Sequence, residues 1–232
     1  MFGLFYYDWT ILIVLPALVI SAWAQIKVSS TYKKYSTVYT KKNVTGAEAA
    51  RAILDKNGLS HVKIEHVRGH LTDHFDPREN VIRLSDSVYG SNSTAAVGVA
   101  AHEAGHAVQY AKNYAPIRLR SAIIPMTRFG SMLSIPLFFI GLLMANEAFM
   151  LFGILLYAAV ALFQLVTLPV EFNASSRALK ALDSSAILSG EELSDAKRVL
   201  SAAAMTYVAA LLTSLLTLLR LLVLAGSRSN RR

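Results

Sequence analysis

Four long apolar runs, at about residues 9–28, 121–144, 149–168 and 199–225, confine what this chain can become. Each is long enough to cross the hydrocarbon core of a bilayer, which takes about 20 residues as a helix. Inside lipid every backbone polar group needs an internal partner, so such runs are helices. Composition agrees, with 54% apolar residues, 16% charged residues and a mean hydropathy of +0.42. The expected fold is mainly α and integral to a membrane, with three to four transmembrane helices and one polar region between the first and second runs.

The first run, Trp9 to Ala24, carries only Thr10 and Ser21 as polar residues and extends to about Val28. A signal peptide would show a basic start; here Asp8 precedes the run and basic residues follow it. Residues 1–28 therefore read as an uncleaved anchor with its N-terminus outside. Residues 121–168 read as a hairpin of two spans. The first contains Arg128, Pro125 and Pro136; the link Ala145–Ala148 lacks Lys and Arg, as an outside turn should; Phe149 to Leu168 has no charge. The chain thus returns at Pro169 to the side it left at Arg120. The last run, 199–225, holds Arg220 and precedes a basic tail, 226–232, with Arg228, Arg231 and Arg232. A fourth crossing puts that tail outside, against the positive-inside rule; the alternative is a helix lying partly in the interface or in a protein core. Both stay open.

The net charge is +8, and residues Lys27 to Arg120 carry 14 of the 23 Lys and Arg. This bias places the polar region in the cytoplasm. No basic-aromatic pattern accompanies it, so anionic headgroups, with Lys33, Lys34, Lys41 and Lys42 resting on them, are the expected partner and nucleic acid is not. Cysteine is absent, which excludes disulfides and thiolate metal sites. Any metal must be held by His, Asp or Glu.

Within residues 29–120, Thr45-Gly-Ala-Glu48 is a capping-box pattern opening a helix that stops at Asn57-Gly58. Val62–Val67 alternates as a strand, and Gly69–Phe75, Asp76–Asn80 and Val81–Leu84 read as strand, turn, strand. This β-hairpin is either an edge that pairs with an extended peptide or a plain structural element. On such a strand His70 and His74 stand about 13 Å apart, too far to share a metal; Asp73 or His74 could serve the site from outside. His61 and His66 have no partner spacing. Ser93 or Thr94 caps the next helix, and Pro116 is expected to break it.

That helix carries the chemistry. Val97 to Gln109 places His102 and His106 four residues apart with Glu103 directly after the first histidine. Residues i and i+4 share a helix face, so both imidazoles can reach one cation and Glu103 can address a water on it, the H-E-x-x-H pattern of zinc hydrolases. The surrounding Val and Ala residues read as buried, and burying ionisable groups without partners costs several kcal/mol. A bland solvated helix is therefore a poor explanation. Gly105 costs about 1 kcal/mol in a helix interior relative to Ala, which asks for a close backbone approach. A third ligand is required while one position stays open. The hairpin delivers Glu171, in residues 169–198, to the same side. Its competing reading is an ordinary carboxylate favoured at a helix start.

These features resemble the membrane-embedded neutral zinc metallopeptidases of the YugP type found in bacteria. The resemblance rests on the anchor, Gly69-His-Leu-Thr-Asp-His-Phe-Asp-Pro77, Val99-Ala-Ala-His-Glu-Ala-Gly-His-Ala-Val-Gln109, the apolar hairpin and Leu168-Pro-Val-Glu-Phe-Asn-Ala-Ser175. More distantly the chain is similar to gluzincins of the HtpX and CAAX prenyl protease kind, whose third ligand lies in a Glu-x-x-x-Asp helix after a membrane hairpin. The resemblance implies a zincin-like α+β catalytic region on the cytoplasmic side of a bacterial cell membrane. It implies one Zn2+ held by His102, His106 and Glu171, with Glu103 as the base. In those relatives the Asp one turn after the Glu orients a zinc-bound His; here Ser175 stands there, and the orienting role falls to Ser175, Asn173 or a residue elsewhere. Tyr207, Arg177 and His74 are candidates for stabilising an oxyanion.

The expected function is a membrane-bound zinc metalloendopeptidase that hydrolyses membrane or membrane-proximal proteins with a zinc-activated water. The alternatives are a scaffold or proteolytic adaptor that retains a weak zinc site, and a metal-handling transporter. The transporter would need polar spans, and the second and third runs offer little beyond Arg128 and Gln164.

Overall fold

The structure is a computed structural model and describes residues 9–229. Asp8 and the Arg231 and Arg232 of the basic tail lie outside the described residues. Among the described residues, six helices and three strands follow in the order α1 (Ile11–Tyr35), α2 (Gly46–Lys56), β1 (Lys63–Val67), β2 (His74–Asp76), β3 (Val81–Ser85), α3 (Thr94–Ala111), α4 (Ala115–Leu143), α5 (Glu147–Ser184) and α6 (Glu191–Ser229). The chain forms two compact units. One comprises Ala24–Arg118 with Pro169–Thr206; the other takes Leu119–Leu168 with the described residues of Met1–Trp23 and Tyr207–Arg232.

In the first unit, α2 opens on the expected capping box. The Thr45 hydroxyl accepts from the Glu48 amide, and the Glu48 carboxylate accepts from the Thr45 amide at 2.8 Å. Its buried Ala49, Ala50, Ile53 and Leu54 form one apolar stripe at helical spacing. The sheet has the order β1-β3-β2, with β1 parallel and β2 antiparallel to β3. Central β3 buries Val81, Ile82 and Leu84, an almost continuous apolar run suited to a strand covered on both faces.

The hairpin exists, but the strand expected over Gly69–Phe75 is cut to His74–Asp76. The reason is a set of tertiary bonds that bend the preceding segment away from extended geometry. Asp86 accepts from the Gly69 amide at 2.8 Å, Leu71 adopts a φ of 56°, and Asp73 accepts from the Ser85 amide at 2.7 Å and its hydroxyl at 3.0 Å. Asp73 thus ties the loop to β3. His66, which lacks a partner in sequence spacing, finds Asp86 at 2.7 Å.

Helix α3 starts at Ser93, whose Oγ accepts from the Ala96 amide at 3.2 Å, and is buried along most of its length. It stops before Pro116: Lys112 caps it, Asn113 turns left-handed with a φ of 52°, and Pro116 sits instead in the first turn of α4, where a missing N–H costs nothing.

In the second unit, α4 remains helical through Pro125 and Pro136. The turn to α5 uses Ala145 at a φ of 57°, and Asn146 Oδ1 accepts from the Phe149 amide at 3.1 Å. A Cβ on Gly153 would stand 2.8 Å from the Phe138 amide nitrogen, so α4 and α5 approach backbone to backbone, the small-residue contact typical of helices packed in lipid. Arg220 is not stranded in its apolar run, because its Nε donates to Thr10 at 3.1 Å.

Four helices, residues 11–35, 115–143, 147–184 and 191–227, are long and apolar enough to cross a membrane, and only 17–22% of their apolar windows is buried by protein. For the last helix the share is 17%, so burial in a protein core does not explain it.

Candidate metal centre

All the residues of the centre belong to the first unit. His102 and His106 project from one face of α3, their rings 4.7 Å apart and nearly perpendicular. Glu171, 2% exposed, comes from α5. This helix runs unbroken through Pro169, so Glu171 stands in a helix interior, and the helix-start explanation of its charge falls away. Its Oε2 lies 3.2 Å from His102 Nε2 and 3.4 Å from His106 Nε2. Among the described residues, these three form a group able to hold a metal, with ligand atoms within 4.8 Å of one another.

The donor set and spacing fit zinc. Atoms bound at about 2.0–2.2 Å in a tetrahedron lie about 3.3–3.6 Å apart, close to the 3.2 and 3.4 Å between the carboxylate and the two imidazoles. Burial disfavours the charged form of His106, but the hydrogen bond to Glu171 and the nearby Glu103 outweigh it and hold its pKa above the ordinary imidazole value. The site therefore favours a cation at His106 beside the buried Glu103 and Glu171.

Two contacts explain why α3 and α5 meet here. A Cβ on Gly105 would stand 2.7 Å from the Ala174 carbonyl oxygen, so the glycine admits the backbone turn that follows Glu171. Ser175 Oγ, one turn after Glu171, lies 3.1 Å from His102 Nδ1.

His106 is held differently. Its Nδ1 lies 3.0 Å from Gln109 Oε1, and Gln109 Nε2 donates to the Val170 carbonyl at 2.8 Å and to Asn173 Oδ1 at 3.0 Å. Arg177 Nε donates to the same Asn173 oxygen at 2.7 Å, with its guanidinium 5.9 Å from the Tyr114 ring centroid. Asn173, Ser175 and Arg177 are therefore gathered around the histidines. His74 is exposed and turned to the Thr72 carbonyl, and Tyr207 belongs to the other unit. Gln109 is the residue that sequence reasoning passes over; its one signal is a long polar side chain in a helix of Ala and Val, three residues after His106.

Glu103, 9% exposed, accepts from the Phe75 amide at 2.9 Å. Phe75 lies on β2, an outer strand of the sheet, so this edge strand touches the candidate base directly.

The comparisons agree with this geometry. A family model described as "Putative neutral zinc metallopeptidase" matches residues 10–226, and the chain belongs to that family. It is 48% identical over 214 residues, covering 92% of this chain and 95% of the relative, to the protein named "Putative membrane protease YugP" of Bacillus subtilis (strain 168). No solved structure matches. With a relative named as a membrane protease and four helices long and apolar enough to cross, the chain is a multi-pass membrane protein.

Proposed function

We propose that the chain is a zinc endopeptidase of the gluzincin type, in which His102, His106 and Glu171 hold the metal and Glu103 is the general base. The observation that carries this reading is one Glu171 oxygen within 3.4 Å of both imidazole Nε2 atoms, with Glu103 next to the first of them on α3. Zinc held there would supply an acidified water, since a single carboxylate leaves its charge only half neutralised. Glu103 takes a proton from the attacking water and returns it to the leaving amine. The Phe75 amide keeps the Glu103 carboxylate turned toward the edge of β2, where an extended peptide would add as a further strand. The substrates are peptide segments of membrane or membrane-proximal proteins, met on the cytoplasmic side of the bacterial plasma membrane. The contact of Ser175 with His102 counts against the adaptor alternative, because the position that lacks an acid still holds the histidine.

Replacing Glu103 with Gln is expected to leave zinc stoichiometry intact and to reduce cleavage of a membrane-protein substrate by about 10²–10⁴-fold. Cleavage at the wild-type rate would remove the base assignment. A comparison of membrane-protein fragments in cells carrying the wild type and the Glu103→Gln form would identify the substrates.

A further inference from the structure

We infer that Gln109 is a positioning residue that sets the tautomer of His106 and ties it to the turn bearing Glu171; this rests on the zinc site proposed above. Gln109 is fully buried and stands on α3 one turn after His106. Two anchors, independent of each other, decide which way its amide points. The Val170 carbonyl can only accept, so the group that faces it at 2.8 Å is the NH2. Arg177 Nε can only donate, so the Asn173 atom it meets at 2.7 Å is the oxygen, and that oxygen in turn faces the same NH2 at 3.0 Å. Both anchors turn Gln109 Oε1 toward His106.

An oxygen there can only accept, so His106 Nδ1 carries the hydrogen of the 3.0 Å bond. Nε2 is then left with its lone pair on the Glu171 side, the form in which an imidazole ligates a metal. The same amide bonds the carbonyl of Val170, the residue before Glu171. One side chain therefore fixes the rotation of a ligand on α3 and the backbone of the ligand on α5. His102 has no equivalent device: the hydroxyl of Ser175 can donate or accept, so it holds the ring without choosing a tautomer. Arg177 and Gln109 both donate to Asn173 Oδ1, and Gln109 Oε1 accepts from His106, so the network reaches one of two otherwise similar histidines.

The test uses the full chain in detergent micelles, with zinc affinity measured by competition with a chromophoric chelator and the His106 tautomer read from its ring nitrogen chemical shifts in the metal-free protein at a pH high enough that the ring is neutral. Wild type should show Nδ1 protonated on His106. Gln109→Leu should lower zinc affinity by about 10–100-fold and lose the single tautomer while keeping the wild-type helical content. Unchanged affinity together with an unchanged tautomer would overturn the proposal. His106→Ala separates the two readings, because normal zinc binding by that variant would sink the metal site itself and not the role of Gln109 alone. If Gln109→Leu fails to fold, Asn173→Leu and Asn173→Asp carry the test. The Leu form should weaken zinc binding and the Asp form, which keeps an acceptor for both Gln109 and Arg177, should retain it; equal affinities in the two would overturn the proposal.

Discussion

At the scale of single residues, Gly105 shows how two opposed terms are weighed. Helix propensity alone makes Gly105→Ala stabilising by about 1 kcal/mol. The new methyl, however, would lie 2.7 Å from a backbone oxygen of α5, and overpacking of this kind costs about 1–3 kcal/mol. The clash wins, so Gly105→Ala is expected to lower the stability of the zinc-free protein in a detergent melt and to weaken zinc binding as α3 and α5 separate. A variant as stable as wild type would show that α5 yields freely. The neighbouring ligands explain what could be read from sequence. His102, Glu103 and His106 are legible because the helix period places them on one face within five residues. Gln109 is not, since a Gln at i+3 is common on helices, and only the fold brings Val170 and Asn173 to its amide.

At the scale of elements, the polar segment before β2 is the place where pattern and structure part. Gly69 to Phe75 alternates well enough to suggest a strand, but its hydrogen bonds go to Asp86 and Asp73-linked Ser85, partners that no local pattern encodes. The parallel pairing of β1 with β3 is equally silent in sequence, because it depends on the return of the chain past β2. Helix α2, by contrast, was written out in full by Thr45, Glu48 and Gly58. The Asp86 bond has a pH signature. The Gly69 amide, followed by His66, holds the Asp86 carboxyl below its usual pKa. A depressed folded-state value means that the stabilisation is complete above the unfolded value of about 3.9 and is lost only as the pH falls through the lower folded value. Protection of the Gly69 amide from hydrogen exchange should therefore persist at pH 5 and fall only at a pH below about 3.9, while Asp86→Asn should already reduce it at pH 5. Unchanged protection in the Asp86→Asn form would take the carboxylate out of the loop's hold.

At the scale of the whole molecule, the four apolar helices were visible as hydropathy, and the last one is too little covered by protein for a buried core helix. Glu171 was legible only through topology, because two crossings separate it from His106 along the chain. The side of the membrane can be tested cleanly, since the chain has no cysteine and a single introduced thiol is the only reactive site. A cysteine at Lys42 should be labelled by an impermeant maleimide only after cells are opened, and one at Asn146 in intact cells. The reverse result would place the metal centre outside.

The contact between Gly105 and Ala174 has a further consequence for how this centre can change over time. Most tight contacts in a core join two side chains, so growth of one can be matched by shrinkage of the other. Here the obstruction is a carbonyl oxygen, which every residue type carries. Trimming Ala174 to Gly would leave it in place. No single partner substitution can accommodate bulk at Gly105, and a lineage that gains a side chain there must shift a whole helix, and with it the Glu171 oxygen that lies within 3.4 Å of both histidines.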